Sequence, residues 1–296
     1  VTQVIKGQAD AGGDKAQDTP IMRTPQSLAG VLSANFRGVS LSSLETFGRV
    51  VALALEAVVG TFTDLFTRRF QWAETTRQCW FMITVTAIPA VLMAIPFGVV
   101  VSIQIGNLIK QLGADSLLGA AGGIGVIQQG APLTTGLLLG GAGTATIAAD
   151  LGARTIREEI DALRTMGINP VHRLVIPRMV AMLFVAPLLN ILIIFVGVGA
   201  GYAVAIGPQG VTPGSYWETF GAFASPTDVV ISIVKALIFG FLVVIIGCQR
   251  GLEARGGPRG VAEGVNASVV LSVVAIMIVN VLITQLTTMF HPMQVA

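Results

Sequence analysis

The chain has 296 residues, 53% of them hydrophobic and 11% charged, with 18 Lys and Arg against 16 Asp and Glu and a mean hydropathy of +0.78. A soluble domain of this length needs far more surface charge, so the composition excludes one and specifies an integral membrane protein, whose long apolar runs make an all-α fold the expectation. A formal net charge of only +2 gives no reason to expect a nucleic-acid partner.

Residues 1–27 are rich in Gly, Asp, Lys, Gln, Thr and Pro and lack an apolar core of signal-peptide length, which predicts a disordered cytoplasmic tail. An N-terminal segment, 28–77, comes next. Within it, LETFGRVVALALEAVVGTFTDLF at 44–66 is apolar enough to suggest a span. Glu45, Arg49, Ala52, Glu56, Gly60 and Thr63 nevertheless align on a narrow polar stripe, and Arg68, Arg69 and Trp72 follow as interface anchors. A helix lying in the cytoplasmic leaflet is therefore expected.

Five regions carry the roughly 20 apolar residues that a span requires, about 78–109, 118–149, 174–207, 228–249 and 266–290. Pro89 and Pro96 predict departures from straight helix in the first. Pro132 and the glycine-rich stretch 119–143 predict them in the second, with re-entrant structure before Pro132 as an alternative. Residues 291–296 form a short C-terminal tail.

Between the second and third spans the charge density rises abruptly, with Asp150, Arg154, Arg157, Glu158, Glu159, Asp161, Arg164, Arg173 and Arg178 close together. RTIREEIDALRTMGINP reads as a short amphipathic helix at about 154–168, because Ile156, Ile160, Leu163 and Gly167 share one face and Arg157, Asp161 and Arg164 the other. Gly167 and Pro170 should stop it, and Arg154 with Glu158 and Arg157 with Asp161 are spaced as supporting i,i+4 pairs. A solvated helix displays such charges for solubility alone. The connection is longer than a link needs, however, which points to docking of a partner that pushes or pulls on the spans.

Lys235 lies within the fourth span, where an ionisable group is costly and usually faces a cavity or a partner. Its stem either snorkels to the outer surface or carries the ammonium to an acidic lipid headgroup or a carboxylate such as Asp150. Gly136 with Gly140, and Gly197 with Gly201, make small-xxx-small pairs suited to tight packing or dimer contact. Gln128, Gln129, Thr134, Thr135, Asn190, Asn280, Thr284 and Gln285 suit either a polar cavity wall or interhelical hydrogen bonds.

All the Lys and Arg except Lys110 and Lys235 fall before the first span, at 154–178 or at 250–259. The positive-inside rule then makes the N-terminus, the 150–178 block and the 250–264 loop cytoplasmic and the C-terminus external. Cys79 and Cys248 lack CxxC spacing and read as packing residues; His172 and His291 fall on opposite expected sides, so no metal site is expected. No GxxxxGK[ST] loop occurs, so any ATP that drives this protein is hydrolysed by another chain.

The run AADLGARTIREEIDALRTMGINPVHRLVIPRMVA at 148–181 resembles the signature of the MlaE/YrbE permease family, with its A-[ED]-L-G stretch, E-x-I-D-A-L helix and [VI]-x-P-R. VKALIFGFLVVIIGCQRG at 234–251 and GVAEGVNASVV at 260–270 match in order and spacing, and FQWAETTRQCWF at 70–81 is most similar to the A-type YrbE subunit of actinobacterial Mce loci.

That resemblance implies a non-catalytic inner-membrane permease domain at 78–290, with an interfacial helix, five transmembrane helices and a cytoplasmic coupling helix between the second and third. Glu158, Glu159, Asp161, Leu163, Met166 and Gly167 fall on the coupling helix. Asp150 stands where Glu is more usual, and Lys235 matches a basic residue of the family's fourth span. The chain itself would carry no cofactor. Its implied partners are a B-type YrbE permease in a heterodimer, an ABC ATPase dimer that uses the ATP, an MCE-domain protein hexamer and a lipid cargo, such as a fatty acid. The rivals are a homodimeric phospholipid-trafficking permease of the same family, a secondary transporter, for which an internal repeat with ion ligands is expected, and a membrane scaffold.

Overall fold

The computed structural model describes residues 48–64, 71–113 and 117–290, together with Thr46. The expected N-terminal tail, Glu45, the anchors Arg68 and Arg69, and the tail 291–296 with His291 lie outside the described residues. The chain divides after Phe47, and the unit from Gly48 onward holds all the spans.

Among the described residues five helices are long and apolar enough to cross a membrane: Trp72–Gln111, Ala121–Ile156, Val171–Ile206, Pro226–Leu252 and Gly257–Phe290. They comprise α2 (Trp72–Gln111); α3 (Leu118–Gly125), α4 (Ala131–Leu138) and α5 (Thr144–Ile156) as one path; α7 (Ile176–Ile206); α9 (Pro226–Leu252); and α10 (Gly257–Phe290). Helix α1 covers 48–64, and two short helices, α6 (Glu159–Thr165) and α8 (Pro213–Phe223), lie in the connections before and after α7. No strand occurs among the described residues, as a chain that must satisfy its backbone inside lipid requires.

Lipid is as apolar as leucine, so helices associate in it through close packing and hydrogen bonds. The sequence meets that need with stripes at every fourth residue. On α2 the buried line runs Met82, Thr86, Ala90, Ala94, Gly98, Ser102 and Gly106, and it packs on α7. On α10 it runs Ser268, Ser272, Ile276 and Asn280, and it packs on α5 and α9. Helices α7 and α9 pack on each other between these outer two, and the core around Leu189, Met182, Phe239 and Val243 belongs to them.

Both small-xxx-small pairs are spent inside the chain. A Cβ on Gly98 would overlap the carbonyl of Gly197, and one on Gly201 would overlap the hydroxyl of Ser102. Gly136 and Gly140 face Ile276, with Phe239 also over Gly136. These glycines therefore set the α2–α7 and α4–α10 approaches and are occupied within one chain.

Helix α2 stays helical through Pro89 and Pro96, and α7 through Pro187. In the second span the expected departures take the form of π-helical turns at Val126–Gly130 and Leu139–Gly143, and the path from Leu118 to Ile156 is helical rather than re-entrant. A third π turn, Val171–Val175, leads into α7. The glycines at the start of the second span have a different use: a Cβ on Gly119 would strike the Tyr216 carbonyl, and one on Gly123 the Phe220 ring. They admit α8, whose Tyr216, Trp217 and Phe220 cluster with Tyr202. Burial pushes the Tyr216 phenol up to about 12, so it stays protonated at any physiological pH.

Helix α1 docks through Ala57, which is buried, with Val50, Leu53, Ala54 and Val58 against the core, while Ala52, Glu56 and Thr63 of the polar stripe stay exposed. Arg49 pairs with Glu253 at 2.8 Å, Glu56 accepts from Asn169 at 3.0 Å, and Gly60 lies against Ile176 and His172. Asp64 pairs with His172 at 2.9 Å. Part of the stripe thus reaches the loops of this chain, while Leu55, Val59 and Phe62 point outward.

Candidate functional site

The basic segments converge at one end of the bundle. Thr155 donates to the Gly251 carbonyl, joining the end of the second span to the end of the fourth, and α1 is tied to residues 169–172 and 253 at that same end. Lys110, which donates to the Gln209 carbonyl, marks the opposite end with Asp228 and α8.

At the basic end α6 is the expected short helix, with different bounds. Helix α5 continues to Ile156, Arg157 and Glu158 form a turn, and α6 itself begins at Glu159. Glu158, expected on the helix, instead sits at the junction with φ of +59°, the only non-glycine residue at positive φ among the described residues. The break ends the helical path of the second span at Ile156. It also changes the ion pairs: Arg154 meets Asp150, Arg157 meets Glu159 and Arg164 meets Asp161, in place of the anticipated i,i+4 partners.

The stop behaves as the sequence predicts. Gly167 adopts φ of +75°, the Ile168 amide donates to the Leu163 carbonyl, and the Gly167 amide donates to that of Arg164, a Schellman ending. Ile160 is buried and Leu163 packs against the core, so both anchor α6; Glu158, Glu159, Asp161 and Met166 face outward. Beside α6 lies a cavity of about 410 Å³ lined by Ile160, Asp161, Arg164, Ala254 and Arg255 among others, so the helix stands beside the 252–257 loop.

The left-handed backbone at Glu158 carries a testable cost. Glu158→Gly is expected to raise stability by up to about 1 kcal/mol and Glu158→Val to lower it by at least as much, read as thermal midpoints in detergent.

Asp150 and Lys235 do not meet. Asp150 pairs with Arg154 at 3.2 Å and with the guanidinium of Arg178, which is 3% exposed and also donates to the Leu174 carbonyl. Asp150 lies next to Leu151, which packs on Gly251, and Gly251 is about 24 Å along α9 from Lys235 at about 1.5 Å per residue. The expected Asp150–Lys235 pair is therefore excluded, because the two groups sit in different halves of the bundle.

Lys235 does not snorkel either. It is 2% exposed, and its Nζ donates to the carbonyl of Gln128 at 3.1 Å and to Thr284 Oγ1 at 3.0 Å. The π turn at Val126–Gly130 carries Gln128 into this position. Around it Gln128 donates to Asp228 at 2.8 Å, Gln129 to Thr284 at 3.2 Å, and Asn190 to Ser232 at 2.8 Å. Thr135 joins Asn190, while Thr134 Oγ1 and Asn280 Oδ1 are buried without a partner among the described residues, and Gln285 is exposed. Interhelical bonding is thus the use of most of the polar residues that the sequence left open. Asp228 carries a second duty in the capping box of α9 with Ser225, a signal that the run SPTD carries and that hydropathy alone passes over. Cys248 is buried and Cys79 partly so, both free.

Residues 75–286 match the family model of the permease MlaE. The chain belongs to the MlaE permease family. It is 31% identical over 201 residues to a probable ABC transporter permease protein of Rickettsia felis, covering 68% of this chain and 78% of the relative. A probable ABC transporter permease protein of Synechocystis is 31% identical over 183 residues, 62% of this chain and 70% of the relative. The intermembrane phospholipid transport system permease protein MlaE of Haemophilus influenzae is 26% identical over 174 residues, 58% of this chain and 67% of the relative. The permease is thus a multi-pass membrane subunit of the ABC transporter class, and its matched region runs from the first spanning helix into the last.

Proposed function

We propose that this permease is the A-type YrbE subunit of an Mce-type transporter that imports fatty acids or related hydrophobic lipids across the inner membrane. The observation that carries the transport reading is α6: a short helix fixed to the core through Ile160 and Leu163 that presents Glu159, Asp161 and Met166 outward at the end of a span. An ABC ATPase dimer docks there and hydrolyses ATP. Its closure moves α6, and the spans carry the movement to the lipid.

The convergence of Arg154, Arg157, Arg164, Arg173, Arg255 and Arg259 at one end supports placing that end, with the N-terminus, in the cytoplasm and the C-terminus outside. The outward apolar faces of α2 and α10 are where lipid and a B-type YrbE permease meet this chain, and an MCE-domain hexamer continues the route outside. Cargo binding rests on apolar contact, up to about 0.8 kcal/mol for each buried methylene. Lys235 and Gln128 are the candidate polar contacts on the pathway; Asp150 acts at the coupling end.

A second reading comes from the Haemophilus relative, whose name assigns it to intermembrane phospholipid transport. On that reading two copies of this chain form the permease. Gentle purification from the native membrane separates the two: a distinct second permease with MCE proteins and fatty acids supports the first, and a homodimer with phospholipid supports the second.

The docking assignment has its own test. Glu159→Lys combined with Asp161→Lys reverses two outward charges without touching the buried face, and it should lower ATPase binding and lipid-stimulated hydrolysis at least about tenfold while membrane insertion is unchanged. Normal stimulated activity in the double variant removes α6 as the coupling element.

A further inference from the structure

A second cavity, about 340 Å³, lies at the basic end between the start of α2, the end of α5 and the π turn before α7. Arg77, Arg154 and Arg173 converge on it from those three elements, with Phe81 and Leu174 on its apolar side. Of its two carboxylates only Asp150 is charge-paired. Glu74 accepts from the Gln78 amide at 2.9 Å, and Asp150 is held by Arg154 and Arg178. Arg77 and Arg173 have no carboxylate within 4.0 Å among the described residues, so both guanidinium groups are open to an anion and outnumber the one unpaired carboxylate of the lining, Glu74.

The surface beside it tells what kind of anion fits. From Arg77 one exposed line of α2 runs Phe81, Thr84, Ile88 and Leu92, spaced to share a helical face. It extends about 22 Å from Arg77 at about 1.5 Å per residue, close to the length of an acyl chain. Trp80, 75% exposed, flanks it near the basic end, as an aromatic at a membrane interface does. A charged pocket at the head of a long outward apolar line matches a molecule with an anionic head and a hydrocarbon tail.

We propose that this pocket holds the phosphate of an anionic phospholipid from the leaflet at the basic end, with Arg77 and Arg173 as its ligands and the acyl chain along α2. This lipid is resident on the outer surface of the bundle, and the assignment is independent of which cargo the permease carries. Basic pockets between spanning helices are recurrent sites for such headgroups, because a guanidinium donates two parallel hydrogen bonds to one phosphate. An acidic peptide would satisfy the arginines and leave the apolar line without use.

The test is native mass spectrometry of the intact transporter, purified with its partners and equilibrated with equimolar phosphatidylglycerol and phosphatidylcholine. The wild type is expected to retain phosphatidylglycerol selectively. Arg77→Gln with Arg173→Gln should weaken that retention about tenfold or more, and Arg77→Lys with Arg173→Lys should keep part of it. Arg259→Gln, at the same end but outside the pocket, should change nothing. Thermal midpoints equal to wild type show that the variants are folded. Equal retention in the Gln variant overturns the proposal. So does displacement of the lipid by inorganic phosphate, which assigns the pocket to a free anion, and so does a cross-link from position 77 to an acidic segment of a partner protein.

Discussion

Gly98→Ala should lower the stability of the purified permease by about 2 to 3 kcal/mol, although alanine is the better helix former by about 1 kcal/mol. The reason is that the new methyl meets the backbone carbonyl of Gly197, which no side-chain rotation can move aside. Helices α2 and α7 must then separate along the whole small-residue line from Ala90 to Gly106. Gly199→Ala, on the same α7 helix, meets nothing within 4 Å and should be neutral or stabilising by up to about 1 kcal/mol. Thermal unfolding of the two variants in one detergent checks the contrast. Equal midpoints would show that the α2–α7 contact contributes little to the fold.

Asp150→Ala should cost about 3 kcal/mol, more than Arg178→Met. Arg178 is almost wholly buried, so removing its carboxylate leaves an uncompensated interior charge, whereas Asp150 is partly exposed and keeps Arg154 when Arg178 is lost. The combined Asp150→Ala and Arg178→Met variant should recover most of the loss, since neither charge then remains unpaired. A thermal or denaturant series on the three variants gives the coupling directly. A single Asp150→Ala variant as stable as Arg178→Met would rule out the buried-charge account. The pair sits where the second span enters the turn to α6, so its loss should also loosen the coupling end.

Much of the candidate site was legible from residues alone. Ile160 and Leu163 announced the inner face of α6, and Gly167 its end, because helical periodicity and a left-handed stop are local properties. The turn at Glu158 was not legible. Glutamate is a good helix former and the charges around it were spaced as i,i+4 pairs, so every local preference favoured a continuous helix. Glu158 takes an unfavourable backbone conformation at the junction from which α6 sets Ile160 and Leu163 on the core.

The sequence by itself determined the membrane class, five spanning segments and their approximate limits, because hydrocarbon thickness and backbone satisfaction leave a chain this apolar no other arrangement. Its motifs also determined the family. Only the tertiary structure decided which groups meet. It gave Asp150 to Arg178 and Lys235 to Gln128 and Thr284, it assigned the glycine pairs to contacts within the chain, and it docked α1 through Ala57 and its apolar neighbours. A residue's depth along its own helix follows from its position in the chain. Its partner depends on how neighbouring helices are rotated and where a π turn shifts their register, and those are settled by packing between segments that lie far apart in sequence.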